Sequence, residues 1–280
     1  MRFGYTTWGM QGLPAEETIP ILANIGYDSV EVTVVPGWKD DLDTLTPARR
    51  RKIKDLLNDT GLALPALAGH RSMIATDAAE HAENWRRLTG TIDLAVEWAT
   101  QDGPPIIDTT AGGSPLEWDA VKGRMIDRVG KLCDYASERG VTIGIEPHVN
   151  SALNSPDRVL WLLGQIGRKN LGITFDISHF NVQGIPIEKS VETMVPVTVF
   201  THIKDERGVS PNHEFLIPGE GDFDYVRYLR AMDRAGFTGD ICVEISLMVQ
   251  RRPNFDPVAT AQQTYDLVSK AFETAGLRRG

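Results

Sequence analysis

The stretch TIGIEPHVNSALNSPDRVLWLLGQIGRKNLGITFDISH (142–179) decides the fold. It opens on a short β-branched run, crosses a polar loop and enters an amphipathic segment that starts at Ser155-Pro156 and stops at Gly167. Serine before proline starts a helix, because the hydroxyl accepts an orphan backbone N–H and proline has none to satisfy. Glycine just past the last turn ends one. The run LGITF then begins a second strand. Both strands are apolar almost throughout rather than alternating, as parallel strands covered by helices must be.

The same unit recurs on either side. The strand candidates are FGYTTW (3–8), SVEVTVV (29–35), LALPALAGH (62–70), PPIIDTT (104–110), TIGIEPH (142–148), LGITFDISH (171–179), TVFTHIKD (198–205) and DICVEIS (240–246), eight in all. Helical segments lie between them. One runs from the Thr46-Pro47 start to Gly61, another over 116–140, and two more over 222–236 and 256–277. Eight βα units of roughly 25–45 residues account for the whole chain. The expectation is an α/β fold, a (β/α)8 TIM barrel forming a single domain over 1–280. A doubly wound sheet would carry a phosphate-binding glycine fingerprint after an early strand. Ala111-Gly112-Gly113-Ser114 has neither that spacing nor an acidic partner downstream.

Composition narrows the function classes. The chain has 280 residues, 41% hydrophobic and 24% charged, and a net charge of −9. An acidic surface disfavours a nucleic-acid partner, whose phosphates call for clustered Lys and Arg. No apolar run approaches the roughly 20 residues that span a bilayer, so no membrane partner is expected. The opening MRFGYTTWGM reads directly into a strand, without the features of a signal peptide. Cys133 and Cys242 are too few for a disulfide framework or a thiolate metal site, and suit a reducing cytoplasm.

Four strand ends carry groups that do not belong in an apolar run: Glu146, Asp176, His202 and Glu244. In such barrels the chemistry sits at those ends. Burying a carboxylate there costs several kcal/mol unless a cation or a metal compensates. Either each is an isolated ion pair, or the four together hold a divalent ion. Lys204 is the only cation on the same strands. Three oxygen ligands and one imidazole suit Mn²⁺, Mg²⁺, Co²⁺ or Zn²⁺.

The set Glu146 in IEPH, Asp176 in FDISH, His202 in HIKD and Glu244 in VEIS resembles the xylose-isomerase-like TIM-barrel superfamily, as does the Pro-Gly-Glu-Gly segment (218–221). That resemblance spans essentially the whole chain. It implies one divalent metal, Mn²⁺ first, and a sugar-like substrate isomerised or epimerised by proton abstraction through a metal-stabilised enediolate. It also implies homo-oligomers. Related epimerases place one glutamate at the position of Glu244 and another six residues beyond the fifth-strand ligand; here Ala152 stands at the second place. The alternative within the same superfamily is a lyase: a dehydratase, a decarboxylase, or a C-glycoside deglycosidase with a small partner subunit. A zinc nuclease is not expected. His70 resembles one of its ligands, but Ile107, Asp108, Thr109 and Thr110 stand where the partner histidine would lie.

The remaining candidates are polar residues near the strand ends. His148 shares the face of Glu146, two residues away, and is the candidate base beside Glu244. Lys204 shares the face of His202 and could neutralise an enolate oxygen or simply balance the acidic ligands. His179, Arg207, Glu31 and His70 are expected to contact substrate. Of Tyr5, Trp8 and Trp38, Trp8 is the expected apolar wall for a sugar ring. The run MVQRRPNFDP (248–257) is a candidate lid or contact loop, with a solvated loop as the default.

Overall fold

The computed structural model describes residues 1–280. In chain order the strands are β1 (Arg2–Thr6), β2 (Ser29–Thr33), β3 (Ala66–Ala68), β4 (Ile106–Thr110), β5 (Ile143–Glu146), β6 (Leu171–Asp176), β7 (Thr198–Ile203), β8 (Asp205–Val209), β9 (Asn212–Leu216) and β10 (Asp240–Val243). The helices are α1 (Ala15–Ile25), α2 (Pro47–Thr60), α3 (Ala78–Glu97), α4 (Trp118–Ser137), α5 (Pro156–Ile166), α6 (Ile177–Asn181), α7 (Ile187–Met194), α8 (Tyr225–Arg234), α9 (Leu247–Gln250) and α10 (Pro257–Ala275). Eight strands close into a parallel barrel in the order β1-β10-β7-β6-β5-β4-β3-β2. They are the eight strands expected, each trimmed at one or both ends or shifted by a residue. The largest trim is at 62–70, reduced to Ala66–Ala68, because Pro65 has no N–H to give to a ladder.

The helix punctuation works as expected. Thr46 caps α2 by accepting the Arg49 N–H, and Gly61 closes it at φ +73°, a conformation that a β-carbon would strain. Ser155 and Gly167 bracket α5 in the same way. α1 carries Pro20 in its interior, which masks it in a reading that treats proline as a breaker.

Two apolar layers form. The larger one, between strands and helices, joins 63 buried residues. The lumen has its own small cluster of Ala66, Phe200 and Cys242, with Ile106 packed against it. Along β7 the alternation of a strand places Phe200, His202 and then Lys204 on the inward face. Phe200 thus forms a floor, and its ring lies edge-on, 5.4 Å from His202. The four candidate ligands sit above that floor, and the Arg2–Asp240 ion pair lies at the opposite end of the barrel.

Beyond the expected strands and helices the structure adds α1, α3, α6, α7 and α9 and one hairpin. β8 and β9 form an antiparallel hairpin directly after β7, with Asp205 opposite Leu216 and Val209 opposite Asn212. Its cue is the Ser210-Pro211-Asn212 turn between two short runs. The seventh strand, expected to run through Asp205, stops at Ile203, and Arg207, expected at the substrate, lies on β8.

Candidate metal and proton-transfer site

Register brings the four candidate ligands together. Asp176 on β6 and Cys242 on β10 both pair with His202 on β7, Glu244 follows β10, and Glu146 ends β5. Glu146, Asp176, His202 and Glu244 are all buried, and one donor atom from each lies within 4.8 Å of the others. They can hold a metal ion. Asp176 presents one oxygen to the cluster. Its Oδ1 accepts the Ser178 N–H (2.9 Å) and hydroxyl (2.6 Å), capping α6, while Oδ2 faces the cluster, 2.7 Å from the Lys204 ammonium. Three buried carboxylates and an imidazole, with one ammonium among them, are a donor set that fits a divalent cation.

His202 is clamped from both sides. Glu146 Oε1 lies 3.0 Å from Nδ1, and Glu31 Oε2 lies 2.9 Å from Nε2. Burial would strip the imidazole of its proton, but the Glu31 and Glu146 charges and hydrogen bonds outweigh it and hold His202 well above the ordinary histidine range. Glu31, expected at the substrate, is fully buried, and its carboxylate lies against His202, where it holds the ring.

Lys204 lies among the candidate ligands. Its ammonium lies 2.7 Å from Asp176 Oδ2 and in direct contact with Glu244 Oε2. The reason is charge. Burial resists the ammonium, yet the Asp176, Glu244 and Glu146 carboxylates hold it charged, above the usual lysine range. These contacts are those of a cation that balances the acidic ligands. Burial pushes Asp176 upward against the pull of Lys204, whereas Lys204 prevails over burial at Glu244, whose carboxyl stays low.

Above this cluster opens a cavity of about 350 Å³ lined by Trp8, His70, Thr110, Gly112, Gly113, His148, Asn150, Ser151 and Glu244. His148 and Glu244 both reach it. His148 Nε2 lies 2.6 Å from Glu146 Oε2, with about a third (36%) of its side chain exposed. Burial lowers its proton affinity, but the Glu146 charge and hydrogen bond raise it above the ordinary value. His179 stacks on His148, rings 4.3 Å apart. Its Nδ1 accepts the Val149 N–H (3.4 Å), so the proton resides on Nε2, which lies 3.6 Å from Asp176 Oδ2. Burial, with His148 and Lys204 nearby, keeps His179 neutral.

The far wall is aromatic. Trp8 stacks on Trp38 at 4.3 Å and meets His70 edge-on at 5.1 Å. Its carbonyl accepts the Trp38 indole N–H and the Gln250 amide, both at 3.0 Å, which ties together the segments after β1, β2 and β10. Tyr5 is core instead, fully buried beside Tyr27. Arg207 does not join the site: its side chain is exposed on β8 and donates to the Glu220 carbonyl. The doubly basic run docks through Arg252 on Glu220 (2.7 Å). Ala152 is fully buried, and its methyl would lie 3.2 Å from a β-carbon built on Gly113.

Sequence reading missed Asp108 and Ser178. Asp108 is buried within reach of His70, Glu31 and Glu146, and burial with those two acidic neighbours pushes its carboxyl well up. An acid inside PPIIDTT at strand depth was the available cue, the same one that exposed Glu146. Ser178 had no cue beyond standing two residues after a ligand.

Known proteins are similar to this chain over part or most of its length. Fructoselysine 3-epimerase of Shigella flexneri is 26% identical over 266 residues, covering 90% of this chain and 93% of its own. The uncharacterized protein MJ1311 of Methanocaldococcus jannaschii is 28% identical over 172 residues, with the match spanning 58% of each chain. The zinc-bound structure of the IOLI protein superposes with a TM-score of 0.78 at 18% identity, over 99% of this chain and 98% of that one, which supports the fold. The family described as xylose isomerase-like TIM barrel matches residues 19–267. With the closed barrel, the four grouped donors and this match over most of its length, the chain belongs to the xylose isomerase-like TIM-barrel family.

Proposed function

We propose that the chain is a divalent-metal-dependent isomerase or epimerase of keto-sugars. The observation that carries this reading is the grouping of Glu146, Asp176, His202 and Glu244 beneath a cavity onto which His148 and Glu244 both open. The fructoselysine 3-epimerase match along nearly the full chain supports the substrate class. Glu146, Asp176, His202 and Glu244 would hold the ion, Mn²⁺ first among Mn²⁺, Mg²⁺, Co²⁺ and Zn²⁺, and a zinc-bound relative of the same fold is consistent with that set. When bound, the ion would polarise the substrate carbonyl and favour negative charge on its oxygen.

The chain's own residues then divide the work. Epimerisation removes a proton from one face of a carbon and returns one to the other, so it needs two titratable groups on different sides of the substrate. Glu244 enters the cavity from the end of β10 and His148 from the loop after β5, three strand positions away. His179 presents Nε2–H as a neutral donor to a substrate oxygen. Trp8 and His70 supply the wall against which the sugar packs.

A second reading has one observation in its favour. Ala152 fills the place of the second glutamate and is buried against the Gly113 loop, which leaves His148 alone on that side. One-sided proton removal suits elimination, so a lyase on the same site is the alternative. Metal analysis followed by proton–deuterium exchange on ketoses and 3-keto-glycosides separates the two. Exchange with epimer formation supports the first reading. Release of water, CO₂ or an aglycone would replace it with the second.

A further inference from the structure

The β8–β9 hairpin stands outside the repeating pattern of the barrel, yet one of its side chains reaches the charged cluster. Phe215 is buried, and its ring meets that of His179 edge to face, 4.9 Å between centroids and 79° between planes. The Lys204 ammonium lies 5.2 Å from the same ring. Phe215 also joins Val149 and Val182 in a small apolar cluster separate from the main core. Each partner belongs to a different segment of the site. Val149 follows His148 and gives its N–H to His179; Val182 lies at the end of α6, which carries His179. One phenyl ring therefore ties the β5–α5 loop and α6 to the end of β7.

The hairpin that carries the ring is anchored firmly. The buried Asp205 carboxylate accepts the Gly219 N–H (2.7 Å) and the Phe223 N–H (3.0 Å), and any side chain at Gly221 would collide with it. Phe215 does not line the cavity. Its chemistry suits its neighbours: an aromatic face attracts an ammonium, and an edge-to-face contact orients a neutral imidazole.

We propose that Phe215 is a positioning residue, seating His179 and the Lys204 ammonium from outside the barrel without touching substrate. The kinetic part rests on the keto-sugar reading; the placement of His179 does not. Without the ring, both side chains gain other rotamers, and displacements near 1 Å can cost on the order of 100-fold in rate.

The test uses the full chain, zinc-loaded for spectroscopy, as Phe215→Leu and Phe215→Ala. Leucine retains the packing on Val149 and Val182 but has no aromatic face. The expected result for Phe215→Leu is a Tm close to that of the parent and unchanged metal content. Its KM should stay within about twofold while kcat falls roughly 10- to 100-fold. In histidine ¹⁵N and ring-proton spectra the His179 signals, assigned with His179→Gln, should shift as the ring current is lost and the Nδ1 acceptor signature weakens. Phe215→Ala should show the same changes, more strongly. Parent-like kcat with an unmoved His179 spectrum in Phe215→Leu overturns the proposal. So does a joint loss of Tm, KM and metal content, because Phe215 would then be packing alone. If the parent exchanges no ketose proton, the keto-sugar reading fails, and the His179 spectrum still decides the role of Phe215.

Discussion

The two halves of the barrel mouth are built on different principles. From β5 through β10 the strand ends carry Glu146, Asp176, His202 and Glu244, all buried and with one donor atom of each within 4.8 Å of the others, and Lys204 lies against Asp176 and Glu244. From β1 through β4 the cavity wall is Trp8, His70, Thr110 and the Gly112-Gly113 loop, with Trp8 held by stacking and backbone hydrogen bonds, and the acids of this half, Glu31 and Asp108, are buried and do not line the cavity. One half carries the candidate ligands, and the other shapes the cavity. A change in the first should act on ion binding and turnover, and a change in the second on substrate affinity.

The sharpest way to break this division is Glu146→Gln. It removes one ligand and the partner of both His148 and His202, so metal content should collapse and activity fall by on the order of 1,000-fold, several kcal/mol of barrier. Elemental analysis and ketose exchange rates measure this, and retention of both would refute the ligand assignment. His148→Asn comes next. The ion should stay while kcat drops roughly 10²–10⁴-fold, the usual range for a lost acid or base. Full activity in that variant would remove His148 from proton transfer.

Across the mouth, Trp8→Ala should raise KM about tenfold and leave kcat and metal content nearly unchanged, since one stacking surface contributes 1–2 kcal/mol. A collapse of kcat instead would erase the distinction between the halves. The mildest effect is on stability and lies at the edge of the charged half. Burial pushes the Glu206 carboxyl up to about 8, assisted by Asp176 and Asp205 and opposed by the Asn181 hydrogen bond. The folded protein thus keeps a proton that the unfolded chain releases near pH 4.5. Stability from this group is complete below that pH, falls as pH rises through about 8, and is flat above. Glu206→Gln should remove that decline, raising Tm at pH 8.5 relative to the parent by a few degrees. Parallel Tm–pH curves for the two proteins would show that Glu206 does not titrate in this window.

The same division explains what could be read from residues alone. Carboxylates and a histidine inside apolar runs stand out because their burial is costly, so Glu146, Asp176, His202 and Glu244 were legible without any fold. All eight barrel strands were legible for the same reason, as near-continuous apolar runs bounded by glycine. What escaped was pairing. Strand position gives Glu31 its depth but not its partner, and the contact with His202 is visible only in three dimensions. Lys204 had two open roles, and only three-dimensional placement beside Asp176 and Glu244 favoured one. Arg207 changed company because a six-residue strand followed at once by a hairpin reads, one-dimensionally, as a strand and a loop.

The burial of Ala152 beside the Gly113 loop has a consequence for redesign. Ala152 is fully buried, and a β-carbon at Gly113 would lie 3.2 Å from its methyl and 2.7 Å from Ile74. Gly113 also occupies a left-handed conformation (φ +75°) that few replacements tolerate. A designer who places a longer side chain at position 152 therefore works at a closed site, where every added atom must displace a packed neighbour, and not at an open rim of the barrel.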